Sequence, residues 1–267
     1  MRQFVDLKTI YNNEILDSEN YQILYSSITE QQVEEMKARN FSKPWYYEGI
    51  QANYPYVTLY KKGQKVMMSD VPMEKNTNQN FIDKANGDIL IFGLGLGLII
   101  LPLLKDKDIK SITVVEIDEG LIDLVRPILE RYDYEKKLTI IQDNAFGFHY
   151  NLNKEKKYDC IYFDIWISIT ADNFNEMMHF NSVYENFLNK KNKESFIDHW
   201  CYDYCRKLFI DTRELIENLT KECPDKKFDV INEVLYIDNK PIENIRVNGE
   251  FFAMKHRYYL KDLILQQ

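Results

Sequence analysis

The sequence predicts an α/β fold built on a parallel β-sheet, and two observations support this. Four short apolar runs, rich in β-branched and aromatic residues, are typical of strands buried on both faces of a parallel sheet; they are Ile89–Phe92, Ser111–Val115, Leu138–Ile141 and Cys160–Phe163. Between the second and third runs, Asp118 offers an N-cap for a segment that keeps helical spacing through Leu129. Strands that alternate with helices predict βαβ units.

Residues 1–80 are predicted to form an N-terminal region with a helix and a β-hairpin. The segment Glu30–Arg39 is a short helix candidate. Residues 54–60 alternate like a strand, residues 61–64 contain a turn glycine, and residues 65–68 suit a return strand. The sequence therefore predicts a small β-hairpin element ahead of the main domain, which is assigned to residues 81–267.

A glycine cluster follows the first buried run. The chain has only 9 glycines in 267 residues, yet Gly93, Gly95 and Gly97 fall within five positions. Glycine permits positive φ and a close approach of backbone to ligand, although such a cluster also fits a simple tight turn. A dinucleotide loop would place its third glycine at position 98, which is Leu98. The observed spacing fits the loop of an S-adenosylmethionine (AdoMet) site better.

Acidic residues end the next three apolar runs. Glu116 lies about 20 residues after the glycine cluster, where a carboxylate can accept two hydrogen bonds from a ribose diol. Asp143 could accept from an adenine amino group, with Ile117 and Ala145 against the ring. Asp164 ends the fourth run. Carboxyl ends of parallel strands meet at one edge, so these residues predict a nucleoside site.

The C-terminal part is predicted to be a helical plus β extension. Residues 172–222 have a mostly helical pattern, and strand character returns from Phe228 onward. Three strand candidates follow there, at residues 234–237, 245–247 and 251–254.

The bulk composition limits the partners. The net charge is −8 and the pI is about 5.2, so a nucleic-acid partner is not expected. The longest uncharged apolar run, Ile89–Leu104, is shorter than the ~20 residues that span a bilayer. The N-terminus lacks a signal-peptide pattern, and the four cysteines form no metal or disulfide pattern. We expect a cytoplasmic protein without a metal, acting on a small molecule, with a homodimer as one option.

These residues resemble the class I AdoMet-dependent methyltransferase superfamily, and within it most closely the spermidine-synthase-like branch. The resemblance covers roughly residues 54–166 and is carried by residues 92–97, 114–118, 142–145 and 158–164, together with the preceding hairpin. Residues 68–74, 163–166 and 199–201 are also similar to phage and bacterial methyltransferase-like proteins. The resemblance implies a Rossmann-like AdoMet-dependent methyltransferase fold with an N-terminal β-hairpin element and a helical plus β C-terminal extension.

The resemblance also implies a role for each site residue. Asp164 would lie beside the sulfonium and the acceptor as the catalytic residue. Independently of the resemblance, Trp166 follows this acid closely and is a candidate either for the wall of the acceptor pocket or for a core or rim aromatic residue. The remaining positions would bind the cofactor: Gly93, Gly95 and Gly97 at its methionine part, Glu116 at the ribose, and Ile117 and Asp143 at the adenine. Asn144 and Ala145 are also predicted to bind the cofactor.

Departures from the family pattern decide the expected reaction. Spermidine synthases resemble Gly-Gly-Gly-Asp-Gly-Gly at the loop, whereas this chain has leucines between its glycines, and Ile167 takes the place of a second acid after Asp164. A polyamine acceptor needs several carboxylates, so the sequence favours methyl transfer to a small molecule or a protein group. Aminopropyl transfer from decarboxylated AdoMet, and a non-catalytic module that binds AdoMet or a nucleoside, remain alternatives. Asp164 lacks the following prolines of DNA amino-methyltransferases, so nucleobase methylation is not expected.

Overall fold

The computed structural model describes residues 1–12, 14–39, 43–63, 66–231 and 233–246. Contacts divide the chain into two compact units. The first contains Met1–Ile167 and Asn181–Trp200, and the second contains Ser168–Phe180 and the described residues from Cys201 onward. The predicted division into residues 1–80 and 81–267 stays a prediction.

Helices and strands alternate through most of the described chain. The helices are α1 (Leu7–Ile10), α2 (Glu30–Arg39), α3 (Pro72–Lys84), α4 (Ile100–Leu104), α5 (Glu119–Glu130), α6 (Asn173–Tyr184) and α7 (Tyr202–Glu222). The strands are β1 (Leu16–Asp17), β2 (Tyr21–Ser26), β3 (Tyr56–Lys61), β4 (Val66–Ser69), β5 (Gly87–Phe92), β6 (Ile109–Glu116), β7 (Leu138–Gln142), β8 (Cys160–Phe163), β9 (Phe196–His199), β10 (Phe228–Ile231), β11 (Val234–Ile237) and β12 (Lys240–Arg246).

A five-stranded parallel sheet in the order β7-β6-β5-β8-β9 forms the centre of the first unit. The four predicted strands are confirmed, and the residues of β5 from Ile89 to Phe92 are fully buried. The strand order reverses on either side of β5, and ligands of open α/β sheets bind in the crevice outside such a switch point. The α/β, Rossmann-like fold class is therefore confirmed.

The fifth strand corrects the interpretation of residues 172–222 as mostly helical. Helices α6 and α7 lie in that range, but Phe196–His199 forms β9, with Ile197 paired to Ile161 of β8. A four-residue run that contains one aspartate carries too little periodicity to be recognised. Its strand conformation comes from backbone pairing with the sheet edge, which is a non-local interaction.

An antiparallel sheet in the order β1-β2-β3-β4 precedes the central sheet. The predicted hairpin is confirmed as β3 and β4, which pair Thr58 with Ser69. Helix α3 follows and was not predicted, because its first turns are polar and its apolar residues, Phe81 and Ile82, come near its end. This helix carries Glu74 in its first turn, and Glu74 is buried.

The second unit combines helix α7 with the antiparallel sheet β10-β11-β12. Its core contains Leu219, Phe228, Val230, Leu235, Ile237 and Ile242. The strand predicted at residues 234–237 is confirmed. The candidate at 245–247 overlaps the end of β12, and the one at 251–254 lies outside the described residues. In the described part of the chain, no helix combines the length and apolar character needed to cross a membrane.

Asp159, at the start of β8, is a structural carboxylate at the amino ends of the strands. It is 4% exposed and accepts from Asp88 N (2.9 Å) and from the Nδ2 atoms of Asn189 (2.8 Å) and Asn192 (2.9 Å). Asp159→Ala leaves three donors without this acceptor, so we expect the free energy of unfolding to fall by about 2–4 kcal/mol. Urea denaturation measures the change, and Asp159→Asn, which keeps an acceptor oxygen, should lose less. An Ala variant as stable as the wild type contradicts this structural role.

Candidate functional site

A cavity of about 390 Å³ lies at the carboxyl ends of the central strands, within the first unit. Its walls come from the glycine loop after β5, the ends of β6, β7 and β8, the hairpin β3–β4 and the start of α3. It contains all but one of the predicted site residues, namely Gly93, Gly95, Glu116, Ile117, Asp143, Asn144, Ala145, Asp164 and Trp166. The topological switch point and the predicted nucleoside site therefore coincide.

Positive φ angles shape the glycine loop, but its glycines serve different purposes. Gly93 has φ +100°, and a Cβ there would lie 2.0 Å from the carbonyl oxygen of Asp164. Gly95 (φ +49°) lies against the sulfur of Met68. Gly97 lies outside the cavity lining, because a Cβ on it would meet Leu129 of α5 at 2.5 Å. Gly93 and Gly95 open the cavity, whereas Gly97 permits close helix packing.

The loop and the end of β6 hold the carboxylate of Glu116 from two sides. One oxygen accepts from Leu94 N and the other from Asp118 N, each at 3.0 Å. The residue is 9% exposed and lines the cavity. Each carboxylate oxygen has a further lone pair, so the oriented group can still accept two hydrogen bonds from neighbouring hydroxyls.

The next strand end forms an apolar slot with one acid beside it. Asp143 accepts from Asn144 N at 2.7 Å and from the Nδ2 atom of Asn151 at 2.9 Å. Ile117 is 63% exposed and Phe146 is 46% exposed, although both are large apolar side chains lining the cavity. Such side chains suit the faces of a flat ring. Sequence reasoning missed Phe146, which immediately follows the 142–145 segment.

Two carboxylates line this end of the cavity, Glu74 buried and Asp164 half-buried. Asp164 follows β8 and donates its backbone N–H to Phe92 O at 2.8 Å, and Glu74 is 9% exposed. Among the described residues, neither carboxylate has a hydrogen bond or an ion pair. Burial raises the pKa of Asp164 to about 7. Burial, together with the charge of Asp164, raises the pKa of Glu74 to about 8.

Sequence reasoning missed Glu74 because an acid in the first turn of a helix has an ordinary explanation. Acidic side chains there interact favourably with the helix dipole, and the residue precedes the glycine loop by many positions. The available signal was its place in the 68–74 segment, which entered only as part of the resemblance.

An aromatic wall completes this end of the cavity. Trp166 lies 5.8 Å from the ring of His199, centroid to centroid. Trp200 lines the cavity and donates from Nε1 to Thr77 Oγ1 at 3.0 Å. Burial lowers the pKa of His199 to about 3, so this ring is neutral at physiological pH. Strand β9 positions His199 and places Trp200 immediately after it, whereas in the sequence these two residues entered only through the resemblance at 199–201.

The N-terminal sheet contributes the side of the cavity near β6. Asp118 accepts from the hydroxyl of Tyr21 at 2.5 Å and from Lys61 Nζ at 3.5 Å, and it also caps α5 through Gly120 N. The ammonium of Lys61 lies 5.5 Å from the centre of the Tyr21 ring. The ammonium of Lys61 therefore pairs with Asp118 and not with Glu74 or Asp164.

One curated relative of this chain is a transferase. A polyamine aminopropyltransferase from Sulfurisphaera tokodaii is 30% identical over 102 residues, which cover 36% of this chain and 33% of that protein. The match therefore spans about a third of the relative's length.

Solved structures with low sequence identity are also similar. A spermidine synthase from Thermotoga maritima is 14% identical over 66% of this chain and 52% of that one, with a TM-score of 0.39. The SAH-bound methyltransferase PaMTH1 from Podospora anserina is 15% identical over 62% and 76%, with a TM-score of 0.39.

A protein-family model matches the part of the chain that contains most of the cavity residues, from Lys61 to Ile167. The model of the spermine/spermidine synthase domain matches residues 61–195, just over half of the 267 residues. The matched range includes the glycine loop, the acids at the strand ends and Glu74. The chain therefore belongs to the spermine/spermidine synthase domain family.

Proposed function

We propose that this protein is an AdoMet-dependent transferase that moves a methyl group to a small molecule or a protein group. The observation that carries the proposal is the distribution of groups in one cavity. An oriented ribose-type carboxylate, Glu116, lies beside an apolar slot, and Asp164 lies in the same cavity near the aromatic wall. AdoMet has the matching parts, namely a ribose, a flat base and a reactive sulfonium.

Each part of the cavity has a task in this reaction. Glu116 accepts from the ribose hydroxyls, Ile117 and Phe146 contact the adenine faces, and Asp143 accepts from its amino group. The donor supplies an electrophilic methyl group on sulfur. Catalysis then requires mainly in-line positioning and exclusion of water. Asp164 takes the proton from the acceptor.

The glycine loop supports methyl transfer over aminopropyl transfer. The side chains between its glycines are Leu94 and Leu96, both buried. No carboxylate of the loop is present to hold the amine of decarboxylated AdoMet or to repel the carboxylate of AdoMet. At the other end, Ile167 is 60% exposed where the family pattern has a second acid.

Aminopropyl transfer to a polyamine is the second candidate, and two observations favour it. The family model is that of the spermine/spermidine synthase domain. Glu74 also supplies a second carboxylate in the cavity with Asp164, and a cationic amine is a suitable partner for two carboxylates.

Mass spectrometry separates the candidates. One reaction contains AdoMet with an isotope-labelled methyl group and a cell extract divided into small-molecule and protein fractions. The other contains decarboxylated AdoMet and putrescine. Labelled methyl in either fraction supports methyl transfer, and spermidine formation supports the second candidate. Nucleoside binding without either product points instead to a non-catalytic module.

Isothermal titration with AdoMet tests the binding step. We expect Glu116→Ala to weaken binding about tenfold or more, because the ribose loses a charged acceptor. Glu119→Ala is the matched control, since Glu119 is exposed and lies outside the cavity. Absence of AdoMet binding by the wild type up to millimolar concentration would overturn the proposal.

A further inference from the structure

We infer that Glu74 and Asp164 form one acid–base pair whose proton content follows the charge on the sulfur of the donor. Both carboxylates line the cavity, and they come from different parts of the fold, the first turn of α3 and the carboxyl end of β8. The inference rests on the proposed function, and it applies to any sulfonium donor. It assigns Glu74 a role that neither the sequence motifs nor the family match supplies.

The pair, in which Glu74 is buried and Asp164 is half-buried, has no cation of its own among the described residues. Glu74 is 9% exposed, and no described residue pairs with either carboxylate. Two carboxylates that line one cavity without a cationic partner disfavour each other's ionised form, so the pair retains a proton at neutral pH. The raised pKa values of Glu74 and Asp164, about 8 and about 7, agree with this geometry.

The other charged groups around the cavity already have partners. On α3, Lys75 pairs with Asp70 at 3.2 Å. On β3, Lys61 pairs with Asp118 at 3.5 Å and is the only lysine or arginine among the described residues of the cavity wall. Tyr21 donates its hydroxyl to Asp118. The acids Glu116 and Asp143 accept backbone N–H donors, and His199, behind Trp166, is neutral.

A bound sulfonium therefore supplies the missing positive charge. It favours the ionised form of the pair, so donor binding releases a proton. In the transfer, the acceptor's lone pair forms the bond to carbon, and the electrons of the breaking carbon–sulfur bond remain on sulfur. The acceptor's proton passes to the ionised pair. Before the transfer, the positive sulfur balances one negative charge on the carboxylate pair. After the transfer, the sulfur is a neutral thioether and the pair has gained the acceptor's proton, so the net charge of the cavity is unchanged.

Comparison of AdoMet with S-adenosylhomocysteine tests this inference, because the two have the same kinds of ionisable group and differ only in the methyl group that gives the sulfur of AdoMet its positive charge. Titration calorimetry measures both affinities from pH 6 to pH 8. We expect the AdoMet-to-S-adenosylhomocysteine affinity ratio to rise about tenfold or more over this range, because the cation binds better once the pair has lost its proton. Paired buffers of different ionisation enthalpy should show greater proton release with AdoMet.

Variants of Glu74 and Asp164 test whether these two residues cause the pH dependence of the affinity ratio. Glu74→Gln and Asp164→Asn should each flatten the pH dependence of the affinity ratio, whereas Glu119→Gln, an exposed control, should preserve it. A ratio that is constant with pH in the wild type overturns the inference while leaving AdoMet binding intact. A rise that persists in both variants also overturns it. Failure to bind either ligand contradicts the proposed function instead. If Glu74→Gln does not fold, the wild type and Asp164→Asn decide the outcome.

Discussion

Asp164→Asn is expected to lower the rate of group transfer by about 10²–10⁴-fold, because the variant cannot accept a proton from the acceptor. Affinity for S-adenosylhomocysteine should change little, since this product has no charge on sulfur. The rate is measured as labelled methyl transferred from AdoMet, or as spermidine formed if that assay is the positive one. Asp123→Asn, an exposed carboxylate of α5, is the matched control.

The pH profile gives this first prediction a second readout. Burial raises the pKa of Asp164 in the donor-free protein to about 7, so the wild-type rate at subsaturating AdoMet should increase as the pH rises through 7. The profile of Asp164→Asn should lack this increase. A variant that retains the wild-type rate and profile would remove Asp164 from the proton-transfer step.

Gly93→Ala is expected to destabilise the protein by about 3 kcal/mol or more, enough to abolish folding in a marginally stable chain. A Cβ at this residue would lie 2.0 Å from the carbonyl oxygen of Asp164, and φ is +100°. The obstacle is backbone next to a buried strand, where Asp164 N also donates to Phe92 O. The clash therefore cannot be relieved by a side-chain rotation. Urea denaturation and circular dichroism measure the loss.

Alanine variants of two other glycines serve as controls that separate the cost of steric overlap from the cost of backbone strain. Gly63 has φ +75° with nothing within 4 Å of a Cβ, so Gly63→Ala should cost about 1 kcal/mol from strain alone. Gly147 has φ −107°, and a Cβ there would make only an ordinary van der Waals contact, 3.9 Å from Asn144 O, so its Ala variant should be close to neutral. If Gly93→Ala costs no more than Gly63→Ala, the contact with Asp164 is less restrictive than the geometry indicates.

The central strands were predictable because their signal is local. Continuous apolar runs identify buried strands, and their order along the chain places their carboxyl ends at one edge. The positions of Glu116, Asp143 and Asp164 in one cavity follow from this arrangement. Strand β9 lacked such a signal, because its pairing with β8 is a contact between distant parts of the chain.

The three loop glycines show the limit of spacing as evidence. Gly93, Gly95 and Gly97 look equivalent in the sequence, and all three have positive φ. Their environments differ because Gly97 meets Leu129 of α5, whereas Gly93 and Gly95 line the cavity. Which neighbour a glycine meets depends on helix packing, and the local spacing does not encode it.

The sequence by itself determined the α/β class, the acidic strand ends and the place of Asp164, because each depends on short segments and their order. Only the tertiary structure decided that Glu74 and Trp200 share the cavity with Asp164. A charged residue in a polar helical turn and an aromatic residue after a short edge strand acquire their roles from what packs around them. Burial and the nearby negative charge make Glu74 a proton-holding group, and both are properties of the folded chain.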